Sequence, residues 1–327
     1  MNTKRILSVI AVTLITFTTA TAQRISVVTE DGSTSVYRTL QQAIEGADPG
    51  STIYLPGGGF SIADSVKITK RLTIIGIGHK SDNENADGST IIAGNLFFNE
   101  GSSGSAIMSC YITGNVNIGE GGATVNDVTI KFCNLNSVQV KNRTCQETVI
   151  GQNYVRDGCQ FNYSNAYITN NILKGFYTLE NGIVNNNIFL GGVWTSASGY
   201  SNGSYAFVHS NNCIMNNNIF VARAWGGNNT AYNNMGKEDY GDGFTNIGDV
   251  AWNDVFDNFN NGAISPVSKF HFKGDYTQYE HQVGIYVGDS FNEDQLAPVP
   301  YIISKDIPQQ TDAAGNLNIK IRVKAGD

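Results

Sequence analysis

Asp127 and Glu147 each stand three residues before an isoleucine, Ile130 and Ile150, and Lys131 follows the first of these. If the two isoleucines hold equivalent places in successive turns of one scaffold, the carboxylates stack at the ~4.8 Å spacing of paired strands. Two carboxylates that close suit a calcium site or a retaining glycosidase pair, with Lys131 placed as a lyase base. Like-charge stacking would also raise the pKa of one of them. The same residues serve equally well as solvated surface side chains with a modest ion-pair role.

A second group is aromatic. Trp194, Tyr200 and Tyr205 lie in "GGVWTSASGYSNGSYA", and Trp225, Tyr232 and Tyr240 lie in "RAWGGNNTAYNNMGKEDYGDGF". Set among Gly, Ser and Asn, these rings can stack on sugars while neighbouring Asn and Asp side chains bond the hydroxyls. The alternative is that they tuck under their own loops as satellite cores. Trp194, Tyr200, Tyr205 and Trp225 are the carbohydrate-binding candidates. Asp239 and Asp242 in "EDYGDGF" are candidate metal ligands, although an Asp-Gly turn explains the same residues. The histidines show no ligand spacing.

The elements that must position these groups come from a repeat. Six segments share one form: "AIMSCYITG", "TIKFCNLNS", "VIGQNYVRD", "YITNNILKG", "IVNNNIFLG" and "IMNNNIFVA". Each carries an apolar residue (Ile107, Ile130, Ile150, Ile168, Val184, Met215) three positions before Cys110, Cys133, Asn153, Asn171, Asn187 or Asn218. Steps of 23, 20, 18, 16 and 31 residues separate these Cys and Asn positions. Variable steps around a fixed phrase mean loops of variable length on a regular solenoid. In a stack of parallel strands the apolar residues form an interior column. The asparagines form an internal ladder of amides, each offering donors and acceptors to the turns above and below. Cys110 and Cys133 fall in that ladder column, either as a disulfide or, as their position favours, as stacked buried thiols.

The bulk composition agrees. The chain has 327 residues, 36 Gly, 6 Pro and only 15% charged residues, with short Val/Ile/Tyr/Phe runs and few long amphipathic helical stretches, which predicts an all-β fold. Lys4-Arg5, the apolar run Ile6 to Phe17 and Ala20-Thr21-Ala22 form an export signal over residues 1–22. The mature chain is then expected in the periplasm, at the cell surface or outside the cell, with no transmembrane segment. Loss of Lys4 and Arg5 takes the formal charge from −7 to −9. Such an acidic chain argues against nucleic acid as a partner. A polyanionic glycan would need a metal bridge or a local basic patch.

Two stretches carry a resemblance. "YRTLQQAIEGADPGSTIYLPGGGFSIADSVKITKRLTIIGIG", Tyr37 to Gly78, resembles the opening of pectin-lyase-like right-handed parallel β-helix proteins. It implies a cap helix over Thr39 to Ala47, a Pro49-Gly50 turn and then the first coils. "SKFHFKGDYTQYEHQVGIYVGDSFNEDQLAPVPYI" with "GNLNIKIRVKAGD" is similar to the endings of secreted bacterial β-helix proteins, which implies a short β tail packed on the solenoid. The superfamily includes lyases, hydrolases, esterases, adhesins and inert modules. The Arg-x-Pro-x-x-Arg context of pectate lyases and the Asn-Thr-Asp, Asp-Asp and Gly-His-Gly signatures of polygalacturonases do not occur in this sequence. The expectation is therefore a β-helix of about nine coils over residues 23–262 and a tail over 263–327. Its expected role is a glycan-associated binding or structural module, with polysaccharide or a cell-surface glycan as partner and no required cofactor. The alternative is a calcium-dependent polysaccharide lyase or glycoside hydrolase at Asp127, Lys131 and Glu147. Catalysis would be expected on the face of "NVNI", "SVQV" and "GCQF", where Asn117, Gln139, Gln160 and Lys141 point outward without three acids.

Overall fold

The computed structural model describes residues 24–327 apart from 65, 81–87, 192–204, 225–226, 239, 260–269, 307, 309, 311–313, 318 and 325–327. The export segment, Trp194, Tyr200, Trp225 and Asp239 lie outside the described residues. Helix α1 (Leu40–Gly46) opens the solenoid, with the Thr39 hydroxyl accepting from the Gln42 amide at 3.2 Å. Its buried face, Leu40, Ala43 and Ile44, joins the interior column that begins at Ile53 and Ile74. The apolar end of the stack is thereby covered, as a solenoid requires.

Beyond the cap, the first sheet runs in parallel through Thr52–Tyr54, Thr73–Ile75, Ala106–Met108, Thr129–Lys131, Thr148–Gly151, Ala166–Thr169, Ile183–Asn185, Ile214–Asn216 and Thr230–Tyr232. Nine strands bound about eight complete turns, one fewer than the sequence suggested. After a tight bend each turn enters a second face, for example Ile172, Ile188 and Ile219 in register. A third face follows, Leu96–Phe98, Asn115–Ile118 and Ser137–Val140. Strands Tyr154–Gln160 and Ile172–Tyr177 run through both the second and third faces, so these join into one sheet.

The bend accounts for the runs of three asparagines. Ser109, Phe132, Gln152, Asn170, Asn186, Asn217 and Asn233 all have φ between 52 and 61°. This is the left-handed region, which Asn tolerates better than most residues. The next residue then turns inward. Asn153, Asn171, Asn187 and Asn218 each donate Nδ2 to the Oδ1 of the following ladder asparagine at 3.0–3.1 Å, ending on Asn234. The same Oδ1 atoms accept a backbone amide from the turn before at 2.9–3.0 Å. Each amide of this ladder is thereby bonded on both sides, so none of them bears the cost of an unmade bond. In the earlier coils Cys110 and Cys133 replace asparagine as free, buried thiols. They stack rather than form a disulfide. Burial pushes both thiols up, Cys133 to about 12, which makes them inert packing groups.

The residue after each ladder asparagine points outward and is nevertheless buried. Tyr154, Ile172, Ile188, Ile219 and Met235 pack under Trp252, Val255, Phe256, Phe270, Phe272, Val283, Ile285 and Phe291. The left-handed asparagines hold this cover in place: Asn170 Nδ2 donates to the Ile285 and Val287 carbonyls at 2.9 and 3.0 Å, and Asn233 Nδ2 to the Gln282 carbonyl at 3.0 Å. Among its described residues the covering segment holds a short α-helix (Trp252–Val255), a 3₁₀ helix (Gly274–Tyr279) and irregular chain. The expected β tail thus divides: its strands, Tyr301–Asp306 and Lys320–Lys324, pair with each other, and the second is exposed. Neither strand pairs with a sheet of the solenoid.

Candidate functional site

Register settles where the acid pair lies. Thr129 pairs with Val149, Tyr167 with Ile183 and Ile183 with Ile214, so Asp127, Glu147, Asn165, Asn181 and Asn212 form one column two residues before the stripe of paired residues. Asp127, Glu147, Asn181 and Asn212 all take positive φ, between 55 and 61°. This is the second left-handed bend of each turn, where the chain swings into the first sheet. Both carboxylates are exposed. The hydrogen-bonding proximity of Asp127 and its charge raise the Glu147 carboxyl above its ordinary value. Lys131 lies along the face, its Cε 3.3 Å from where a Cβ on Gly151 would stand, and it makes no ion pair with either acid among the described residues. No group of three or more His, Cys, Asp or Glu side chains gathers to hold a metal among the described residues. Calcium needs 6–8 oxygens, and two exposed carboxylates supply only a part of such a set.

The aromatic group divides. Tyr240 packs against Phe207 and Phe220 with ring centroids 5.2 and 5.8 Å apart, and Asn229 Nδ2 donates to its hydroxyl at 3.2 Å, so it is a satellite core residue. Tyr205 is half-buried, pairs in backbone with Arg223 and hydrogen-bonds its side chain. Arg223 in turn holds Glu238 through two bonds of 2.8 and 2.9 Å. Leu190, Phe220, Val221, Ala222, Ala224 and Lys237 join Arg223 and Glu238 around a groove of about 420 Å³. The insertion that carries Trp194, Tyr200 and Tyr205 leaves the solenoid at Gly191, whose amide donates to the Lys174 carbonyl, and returns at Ala206, bonded to Arg223. The insertion is therefore rooted at the groove. Asp242 pairs in backbone with Tyr232 and is exposed.

The third face adds a lane of uncharged polar groups. Phe97, Asn117, Gln139, Gln160 and Tyr177 follow one another in register along it. Lys67 sits 3.5 Å from the centroid of the Phe97 ring and pairs with Glu120 at 2.9 Å. Lys141 donates to Gln139 Oε1 at 2.5 Å and the Tyr177 hydroxyl to Gln160 Oε1 at 3.0 Å. These bonds hold the Gln139 and Gln160 carboxamides by their oxygens. Asn117, expected outward, is buried instead, with its Nδ2 donating to the Leu96 carbonyl at 3.4 Å, because the neighbouring strand closes over it. The lane runs toward the groove, because Tyr177 pairs with Val208 in the strand that follows the insertion. Phe97 and Tyr177 at its two ends escaped sequence reasoning, because only strand pairing brings them into the amide column.

A solenoid of this kind, with short parallel strands, an asparagine ladder and a capped amino-terminal end, defines the pectate lyase-like β-helix class. The chain belongs to the rhamnogalacturonase A/epimerase, pectate lyase-like family, whose model matches residues 27–245. The family points to a glycan-related function. Neither the curated proteins nor the solved structures include a match to the chain. No helix among the described residues is long and apolar enough to cross a membrane.

Proposed function

We propose that this chain is an exported glycan-binding module. It holds a polysaccharide along the amide lane of the third face, up to the groove and the insertion that carries Trp194, Tyr200 and Tyr205, with Trp225 as a further candidate contact. The observation that carries the reading is the lane itself: Gln139, Gln160 and Tyr177 in one register, flanked by the Lys67–Glu120 pair and Lys141. Amide donors and a ring face suit sugar hydroxyls and the apolar side of a pyranose. Of the acids near this lane, Glu120 is already ion-paired, which favours binding over turnover. No cofactor is required by such a site.

The second reading, a calcium-dependent lyase or glycoside hydrolase, rests on the upward-shifted Glu147 beside Asp127. A carboxyl that keeps its proton longer is a better general acid. Affinity electrophoresis through neutral and uronate polysaccharides, with a parallel assay for new reducing ends with and without calcium, separates the two. Retardation without release, weakened by Gln160→Ala with Tyr177→Ala and by Trp194→Ala or Trp225→Ala, is the expected outcome. Release abolished by Asp127→Asn or Glu147→Gln would replace binding with the second reading.

A further inference from the structure

The first sheet carries an outward column that the amide lane does not use. Val149, Tyr167, Ile183 and Ile214 stand in register on its outer face. Tyr167 is 37% exposed and Ile214 44%, while Val149 and Ile183 are half-buried. Tyr232, at 60% exposure, closes one corner beside Asn216. Three inter-strand steps make this stripe about 14 Å long.

Its borders are polar and nearly uncharged. On one side stand Asn165, Asn181 and Asn212, of which Asn181 and Asn212 are exposed left-handed bend residues. On the other stand Thr169, Asn185 and Asn216, locked together where the Asn216 amide donates to Asn185 Oδ1 at 3.0 Å. The charges lie at one end: Asp127, Glu147 and Lys131. Glu147 holds the left-handed conformation at φ 61° that its neighbours in the column hand mostly to Asn or Asp, and it does so beside another carboxylate.

We propose that this outer face is a second glycan-contact surface, taking a neutral polysaccharide across Tyr167 with its hydroxyls bonded by the flanking amides. A flat aromatic and aliphatic stripe matches the apolar faces of sugar rings, and the Asn columns on either side, repeating at each turn, supply donors and acceptors in step with it. The net negative end at Asp127 and Glu147 repels a polyanion, which fixes the ligand as uncharged. The proposal takes its ligand class from the glycan reading above but uses different residues, so the two can fail separately.

The test measures retention of the full folded chain by mixed-linkage glucan, xylan, galactan and polygalacturonate. It compares wild type, Tyr167→Ala with Ile214→Ser, and the lane variant Gln160→Ala with Tyr177→Ala. The expected result is retention by a neutral glycan that the Tyr167/Ile214 variant weakens about tenfold, the scale of one lost aromatic contact, with an unchanged Tm. Wild-type retention by the Tyr167/Ile214 variant, with loss in the lane variant, would overturn this inference and leave the lane intact. Absence of retention by any neutral glycan would overturn it as well. So would self-association in sedimentation that Tyr167→Arg abolishes, because the occupant would then be a second copy of the chain.

Discussion

Two apolar columns face outward from the same coils, and they are treated differently. Tyr154, Ile172, Ile188, Ile219 and Met235 on the second face are buried beneath the returning tail. Val149, Tyr167, Ile183 and Ile214 on the first face have no such cover among the described residues, and two of the four are exposed. Ile183 and Ile188 belong to one turn of the chain, so local sequence cannot explain the difference. The distinction comes from the amides at the shared bend: Asn170, Asn186 and Asn233 all point Nδ2 at tail carbonyls. The left-handed asparagines thus anchor a cover over one column. The corresponding amides beside the other column, Asn181 and Asn212, are exposed.

The largest effect should come from the ladder that both columns share. Asn187 donates to the Ile168 and Asn185 carbonyls and to Asn218, and accepts from Asn171. Asn187→Ala strands several buried partners at ~1–3 kcal/mol each, so a loss of about 4 kcal/mol in urea unfolding is expected. Next is the covered column: Ile188→Ala should cost roughly 2–5 kcal/mol, as for a large-to-small change in a core. Ile183→Ala, five residues earlier, should stay within about 0.5 kcal/mol in the same assay. Equal costs at the two positions would erase the comparison.

A smaller effect concerns what holds the cover closed. His271 stacks on Tyr286 with centroids 4.3 Å apart, hydrogen-bonds Glu280 through Nδ1 and meets Glu293 through Nε2 at 2.8 Å; Glu293 also accepts from the Tyr286 hydroxyl at 2.7 Å. Burial lowers the His271 pKa, but the bonds and charges of the two glutamates outweigh it and raise the pKa overall. Its contribution is therefore full below the unfolded histidine value of about 6.5 and is lost as pH rises through the higher folded value. Glu293 is also opposed by burial, yet Tyr286 and His271 lower its pKa, so its contribution is lost as pH falls below about 4.5. The Tm difference between wild type and His271→Gln should peak between these limits and shrink above pH 7. The smallest effect is at Glu147, whose carboxyl is raised by Asp127: repulsion is absent at low pH and grows as pH rises through the folded value. Glu147→Gln should raise Tm slightly at pH 7 and leave it unchanged at pH 3.

The ladder was legible because it depends on neighbours within one turn. The cap helix over Thr39 to Ala47 came with the family resemblance, and Asn three residues after Ile168 or Val184 marks the inward bend. The stacking of Asp127 on Glu147 followed from the same register. The covered column was not legible. In "NNNIF" both Ile188 and Phe189 are apolar, and alternation along a strand sends only one of them inward. What buries the other lies in residues 252–297, far along the chain and without periodicity. His271, Glu280, Tyr286 and Glu293 meet for the same reason, at spacings that no ligand motif uses. Gln139 and Gln160 were legible as outward amides, whereas Asn117 proved buried, and the lane's ends at Phe97 and Tyr177 needed the pairing of strands.

The glycan account is tested most directly by hydroxyl-radical footprinting of the folded chain with and without the polysaccharide that retains it best. This labels Tyr167, Tyr177, Tyr205, Trp194 and Trp225 in one experiment, with Tyr276 and Tyr279 of the tail as internal controls. The account predicts protection at Tyr177 and at the insertion aromatics, a second protected site at Tyr167, and unchanged labelling of the tail. Protection confined to the tail, or no change at Tyr177, Trp194 and Trp225 under saturating glycan, would contradict it.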